Sequence, residues 1–290
     1  MKYTIKVEPA SKPIGVDYKK DLNAEQYEVV TKADGPCLVL AGAGSGKTRT
    51  LIYRVAYLLE KGVSPQNILL VTFTNKAASN MKERIEALFR SKPKGLWSGT
   101  FHHVGNRSIR LFAKDLGYRV DFGILDQEDS MDLLKVCIKN LKIKLNEERF
   151  PQPKVLRSII SFSINSGKSL EDILKEYYPY FLRFHDPIKR LRDEYESKKK
   201  SSNNMDYDDL LTKWLWLLRN NARARERFSR QFTYILVDEY QDTNKLQSEI
   251  IKELSSFHRN VLVVGDDAQS IYSFRGADIT NILRFPKEYS

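Results

Sequence analysis

The sequence predicts an α/β fold, a parallel sheet with helices on both faces, interrupted by an all-helical insertion. Three observations predict it. Short apolar, β-branched runs recur at Leu38–Leu40, Ile68–Thr72, Trp97–Phe101, Tyr234–Val237 and Val261–Val264. Helical spacing fills the gaps between the first three, at Arg49–Glu60 and Lys76–Phe89. Between about Leu111 and Asn204 the β-branched runs stop and helical spacing takes over.

Taken in order, Met1 to about Asp21 has no clear period, contains Pro9 and Pro13, and reads as an extended arm; the alternation starts at Leu22. In the middle block, Ser130–Leu141 sets Met131, Leu134, Cys137, Ile138 and Leu141 on one helical face. Val155–Ile164, Leu170–Tyr178 and Pro187–Glu196 also read as helices, punctuated by Pro151, Pro153, Pro179 and Pro187. Lys198–Lys200 with Ser201, Ser202, Asn203 and Asn204 reads as an exposed linker. Asp206-Tyr207-Asp208-Asp209 starts a helix with acidic first-turn residues, and that helix carries Trp214 and Trp216 as packing anchors. The expected division is a sheet-bearing subdomain in two parts, residues 1–110 and 205–290, around a helical insertion at 111–204.

Hydrophobic residues make up 41% and charged residues 29% of 290, which suits a chain with a sizeable core and excludes a disordered one. No apolar run approaches the ~20 residues of a membrane span, and Met1-Lys2-Tyr3-Thr4-Ile5 carries no signal-peptide core. The two cysteines, Cys37 and Cys137, read as small core residues, so the expected setting is reducing and cytoplasmic, with no membrane partner. A net charge of +11 favours a polyanionic partner, most often nucleic acid.

Cys37-Leu38-Val39-Leu40 runs into Ala41-Gly42-Ala43-Gly44-Ser45-Gly46-Lys47-Thr48 and then a helix. A glycine turn between a strand and a helix N-terminus cradles an anion with backbone N–H groups, here from Ala43 to Arg49. Lys47 would reach the β- and γ-phosphates of a nucleoside triphosphate and Thr48 would hold Mg²⁺. Ala41 stands where the strict pattern has glycine. Tyr234–Val237 ends in Asp238 and Glu239, expected at a strand tip neighbouring the glycine turn: Asp238 for Mg²⁺ through water, Glu239 to polarise the attacking water. After Val261–Val264, Gln269 is placed to touch the γ-phosphate, and Tyr272, Phe274 and Arg275 form an aromatic–basic cluster suited to stacking on single-stranded bases.

With these segments in hand, the chain resembles the N-terminal half of a UvrD/Rep/PcrA-type superfamily 1 DNA helicase, from about Leu22 to Leu283. Leu22–Gln26 resembles the adenine-reading motif, Ala41–Thr48 the phosphate loop, and Val71–Ala78 and Gly99–His102 the strand-binding segments. Val237–Thr243 resembles the magnesium and catalytic motif, and Gly265–Ala277 the coupling motif. The resemblance implies a RecA-like P-loop NTPase fold, ATP and Mg²⁺ as cofactors, and single-stranded and duplex DNA as partners. It implies that Gln26 bonds the adenine edge, and that Phe73, Tyr272 and Phe274 stack on bases. Thr72, Asn75, Thr100 and His102 would lie along the strand. Lysines 198–200 of the insertion offer contacts to duplex phosphates, and His103 has no assigned role. Relatives carry tryptophan where Phe274 stands, so a smaller stacking face is expected. The arginines that stabilise the transferring phosphate, and a second motor domain, belong to the family's other half. The chain is therefore expected to be a fragment of a 3′–5′ translocase, poorly active alone. Alternatives are the motor of a helicase–nuclease and an ATP-gated single-strand-binding module. A small-molecule kinase would lack the cluster at Tyr272–Arg275.

Overall fold

A computed structural model of the chain describes residues 16–89, 93–143, 149–266 and 280–289. Five apolar runs become the strands of one parallel sheet: β1 (Cys37–Leu40), β2 (Ile68–Thr72), β3 (Trp97–Thr100), β6 (Tyr234–Val237) and β7 (Val261–Gly265), numbered in chain order. Successive side chains of a strand point to opposite faces, and β2 shows the consequence. Ile68 and Leu70 enter a core with Val30, Leu51, Val55, Met81 and Ile85, whereas Leu69 and Val71 enter one with Phe101, Val104, Trp214, Ile250 and Phe285. Both faces are therefore covered. The first is covered by α2 (Ala24–Lys32), α3 (Lys47–Glu60) and α4 (Asn75–Phe89). The second is covered by α5 (Phe101–Leu111), α10 (Tyr207–Asn220), α11 (Ala222–Gln231), α12 (Lys245–Ser255) and α13 (Thr280–Glu288). Phe101, read from the sequence as strand, instead begins α5, because Thr100 caps that helix by accepting from His103 N.

The spatial order is β1-β7-β6-β2-β3. This corrects one expectation. The strand before the glycine turn and the strand before Asp238 are not neighbours, since β7 lies between them. The N-terminal arm also differs: Asp17 caps a short helix, α1 (Tyr18–Asp21), by accepting from Lys20 N.

Four helices, α6 (Gln127–Asn140), α7 (Pro153–Ser166), α8 (Leu170–Tyr177) and α9 (His185–Ser201), surround a separate core. That core includes Leu134, Cys137, Leu156, Ile159, Ile173 and Leu191. Cys137 is buried there, while Cys37 is half-buried, and both thiols are free. Phe112, Ala113, Tyr118 and Phe122 pack into the sheet-side core instead. At the root of the helical block, β4 (Gly123–Ile124) and β5 (Asn204–Met205) form a two-residue parallel pair that helical spacing alone did not reveal.

Two further expectations are corrected at this root. Residues 198–201 are the last turn of α9, not a linker, and Lys199 is buried with its Nζ 2.7 Å from carboxylate oxygens of Glu196, Asp206 and Asp209. A lysine run signals solvent by composition, but three acids from α9 and the start of α10 draw one of these ammonium groups inside. Burial works against the Lys199 charge, yet Asp206, Asp209 and Glu196 hold its pKa above the ordinary lysine value. Trp214 is fully buried, but Trp216, two residues on, faces out and is 49% exposed. The helix start read from the sequence is present, with Asp208 and Asp209 in the first turn of α10, and Asp206 caps it in a reciprocal capping box with Asp209.

Removing one partner of a buried ion cluster leaves the others uncompensated. A Lys199→Met chain is expected to lose roughly 3–5 kcal/mol of stability in equilibrium urea unfolding. A loss within error of zero would show that the three acids find other compensation.

Candidate nucleotide site and strand path

The loop from Ala41 to Gly46 leaves β1 at the carboxyl edge of the sheet and enters α3 through Gly46, whose φ of 87° is left-handed. No side chain caps the first turn of α3, so its N–H groups and the helix dipole are presented to the loop. A Cβ placed on Gly42 or Gly44 would meet nothing within 4 Å, so this cradle of Ala43, Gly44 and Ser45 borders open space. Lys47 is buried to 9% exposure. Its Nζ donates to Ala41 O at 2.9 Å and Gly42 O at 3.4 Å, and pairs with Asp266 Oδ2 at 3.2 Å from the end of β7.

The acidic pair reaches the same place from the end of β6. Thr48 Oγ1 donates to Asp238 Oδ2 at 3.0 Å. Asp238 is 3% exposed; burial first, then the adjacent Glu239 charge, push its pKa up to about 6, against the opposing Thr48 hydrogen bond. Glu239 sits in the left-handed region, φ 51° and ψ 48°. That conformation costs a non-glycine residue about 1–3 kcal/mol and persists only where surroundings over-determine it. Here Gln241 Nε2 donates to Glu239 Oε2 at 2.7 Å, and Glu239 O accepts from Asp242 N at 2.9 Å. Gln241 Oε1 in turn accepts from Asp266 N at 2.9 Å. Asp242 is likewise raised to about 6, by burial and then by Glu239. Gln241, Asp242 and Asp266 lie within the segments Val237–Thr243 and Gly265–Ala277 that the sequence marked, but no individual role was assigned to them there.

Gln26 and Arg49, also expected at the nucleotide, each have partners within the chain. Gln26 closes a capping box with Asn23 and donates from Nε2 to Ser45 O at 2.8 Å, so it braces the glycine loop from below. Its Nε2 lies 2.6 Å from where a Gly46 Cβ would be, which is a second reason for glycine there. The Arg49 side chain is exposed, donates to Asp21 O at 2.6 Å and lies over the Tyr53 ring, while its expected contribution to the cradle is its backbone N–H.

The residues expected along a strand line the adjoining edge. Thr72 and Thr100 are register partners at the ends of β2 and β3. Thr72 is 1% exposed, and its Oγ1 has no hydrogen-bond partner among the described residues. Phe73 is half-buried and Asn75, the first residue of α4, is exposed. His102 packs edge-on against Tyr207, ring centroids 5.7 Å apart. Burial pushes its pKa down to about 4, so the imidazole is neutral at neutral pH. Tyr207 is 44% exposed, an aromatic that the sequence marked only as part of a helix start. Gln269, Tyr272 and Phe274 lie outside the described residues.

Comparison with known proteins accords with this geometry. Residues 22–290 match the model of the UvrD/REP helicase N-terminal domain. The chain is 41% identical over 269 residues to the ATP-dependent DNA helicase PcrA of Staphylococcus aureus strain Mu50, covering 92% of this chain and 36% of that protein. It is 41% identical over 271 residues to the PcrA helicase of Staphylococcus epidermidis, covering 93% of this chain and 36% of the relative. The chain thus spans about a third of the length of these relatives. It belongs to the UvrD/REP helicase N-terminal domain family.

The folded chain holds the Asp238 proton more tightly than an unfolded chain would. That contribution to stability is complete below about pH 4 and disappears as pH climbs through about 6. A two-unit shift corresponds to about 3 kcal/mol. Asp238→Asn is expected to flatten the decline in unfolding free energy between pH 4 and 7; an unchanged slope would show that Asp238 is not the group responsible.

Proposed function

From that family membership, we propose that this chain is the ATP-binding part of a DNA helicase or translocase that tracks single-stranded DNA 3′ to 5′ and opens duplex DNA. The observation that carries the reading is the meeting of Thr48 and Asp238 at 3.0 Å beside the buried Lys47, at the tips of non-adjacent strands. Nothing in packing requires an ammonium, a hydroxyl and a raised carboxylate to be gathered at an open glycine cradle.

The residues fit a nucleotide with one magnesium ion. Among the described residues no group of three His, Cys, Asp or Glu side chains could hold a metal by itself. That agrees with magnesium's habit of keeping waters and phosphate oxygens beside one or two protein ligands. Thr48 would be a ligand, Asp238 would hold the ion through water, and the ion would offset phosphate charge. A cation there would also oppose the burial, and after it the Glu239 repulsion, that raise Asp238. Lys47 would exchange its carbonyl and Asp266 partners for phosphate oxygens. Glu239, held by Gln241, would orient the attacking water. That Glu239 is held in a costly backbone conformation favours turnover over a module that only binds.

In this proposal Thr72, Phe73, Asn75, Thr100, His102 and Tyr207 lie along the single strand, with Tyr272 and Phe274 supplying stacking and Gln269 sensing the γ-phosphate. The helical block between β4 and β5 acts as an inserted unit that meets duplex DNA. A second motor domain, corresponding to sequence the relatives carry beyond the matched part, would supply the arginines for the transferring phosphate. Among the described residues no helix is long and apolar enough to cross a membrane; the free thiols of Cys37 and Cys137 suit a reducing, cytoplasmic setting.

Loss of an arginine finger lowers turnover by ~10³–10⁵. The purified chain is therefore expected to bind Mg-ATP and hydrolyse it slowly, with Lys47→Ala abolishing binding by equilibrium fluorescence of a labelled nucleotide. Its affinity for a labelled single strand should fall steeply as salt rises. Salt-independent binding, or wild-type nucleotide affinity in Lys47→Ala, would overturn the reading.

A further inference from the structure

The turn that comes after Glu239 is fastened at its far end to the helical block. Asn244 caps α12, its Oδ1 accepting from Gln247 N at 2.9 Å. Its Nδ2 donates to Asn165 Oδ1 at 2.7 Å, across the seam to the last turn of α7. Asn165 donates from Nδ2 to Asp208 Oδ1 at 2.7 Å and to Ser161 O at 2.9 Å. Both asparagines are buried, at 8% and 7% exposure. The amide of Asn165 thus joins three helices: its own α7, α10 through Asp208, and α12 through Asn244.

From Asn244 the connection runs back without a slack joint. Thr243 N and Oγ1 both donate to Tyr240 O, and Thr243 O accepts from Asn281 Nδ2 at 2.9 Å. The same turn carries Gln241, which holds both Glu239 and the backbone of Asp266, the partner of Lys47. The approach of α7 to α12 is close. Gly167, which ends α7 at φ 68°, leaves only 2.9 Å between a hypothetical Cβ and Lys245 Cδ. The Lys245 side chain is flexible and can give way, so what carries a shift of α7 into the turn is the buried Asn165–Asn244 bond.

We infer that Asn165 is a positioning residue through which the helical block sets the Glu239–Asn244 turn, coupling duplex DNA on that block to the nucleotide site. The inference rests on the proposed DNA-binding role of the helical block. Glu239 is the element with two states to choose between: left-handed while the turn is held, relaxed when it is not. By linkage, a ligand on the block that changes this balance changes nucleotide affinity, and nucleotide changes affinity for that ligand by the same factor.

Two variants separate the seam from simple structure. Asn165→Ala removes the joint. Asn244→Ser keeps a good N-cap for α12 but has no amide to reach Asn165. In the ligand-free chain, backbone amides of residues 240–244 should exchange with deuterium several-fold faster in both variants, with β6 unchanged. In wild type, a hairpin duplex with a single-stranded tail should change Mg-ATPγS affinity several-fold. In both variants that ratio should fall to within twofold of one, with the affinity for the hairpin kept. Unchanged exchange at 240–244, or an unchanged ratio in Asn244→Ser, overturns the inference, as does a wild-type ratio of one with hairpin bound. A chain that binds no hairpin removes the proposed role of the block and with it the coupling; the exchange measurement alone then decides whether Asn165 positions the turn.

Discussion

The contact between Thr48 and Asp238 exists because every strand of the sheet runs the same way. Parallel strands send their carboxyl ends to one edge, so the segments leaving β1, β7 and β6 arrive on that edge whatever their separation in sequence. Residues 47, 238 and 266 can meet only through this geometry. The helical connections it demands bury both faces, which is why each strand of the sheet's middle is apolar throughout rather than alternating.

Electrostatics on that edge is unbalanced. Asp238, Glu239, Asp242 and Asp266 all lie at that edge; Lys47 pairs with Asp266, and Glu239 acts on Asp238 and Asp242. Burial first, and then the charge of Glu239, raises both Asp238 and Asp242 to about 6. At the root of the helical block the opposite holds: Lys199 and Lys213 meet Glu196, Asp206 and Asp209, and the cluster is largely satisfied, with Asp209 held below its usual range against its burial by the two lysines. The root cluster fastens the end of α9 to the start of α10 through Lys199.

Much of this was legible in the sequence. All five sheet strands and the helices α3, α4 and α6 to α10 follow from apolar spacing, because burial against a sheet or bundle imposes that spacing locally. The chemistry of residues 41–48 and 238–239 was legible because a glycine turn after a strand has few other uses. What was not legible depends on distant partners. Lysines 198–200 look solvated until Asp206 and Asp209 fold back onto one of them. The insertion of β7 between β1 and β6, and hence the Lys47–Asp266 pair, is a matter of strand order that local spacing does not encode. Gln26, expected to bond a base, also has a role that spacing did not reveal: its amide donates to Ser45 O, so the side chain that caps α2 braces the glycine loop. Trp216 shows the limit of composition: large and apolar, it lies on the outer side of α10 while Trp214 fills the inner.

The same distinction explains where strain is kept. Glu239 is one of few non-glycine residues among those described with a left-handed backbone, and it stands between a buried strand and a buried turn. Holding it there takes Gln241, and holding Gln241 takes Asp266 on one side and the Asn281-anchored turn on the other. A carboxylate meant only to cap a helix would need none of this. A carboxylate whose position must answer to events elsewhere does, because a residue at the top of a strained basin moves when its support moves. The buried amides of Asn165 and Asn244 are the part of that support reaching furthest from the cradle. Their chemistry, neutral and able both to donate and to accept, transmits position without adding charge to an edge that already carries too much.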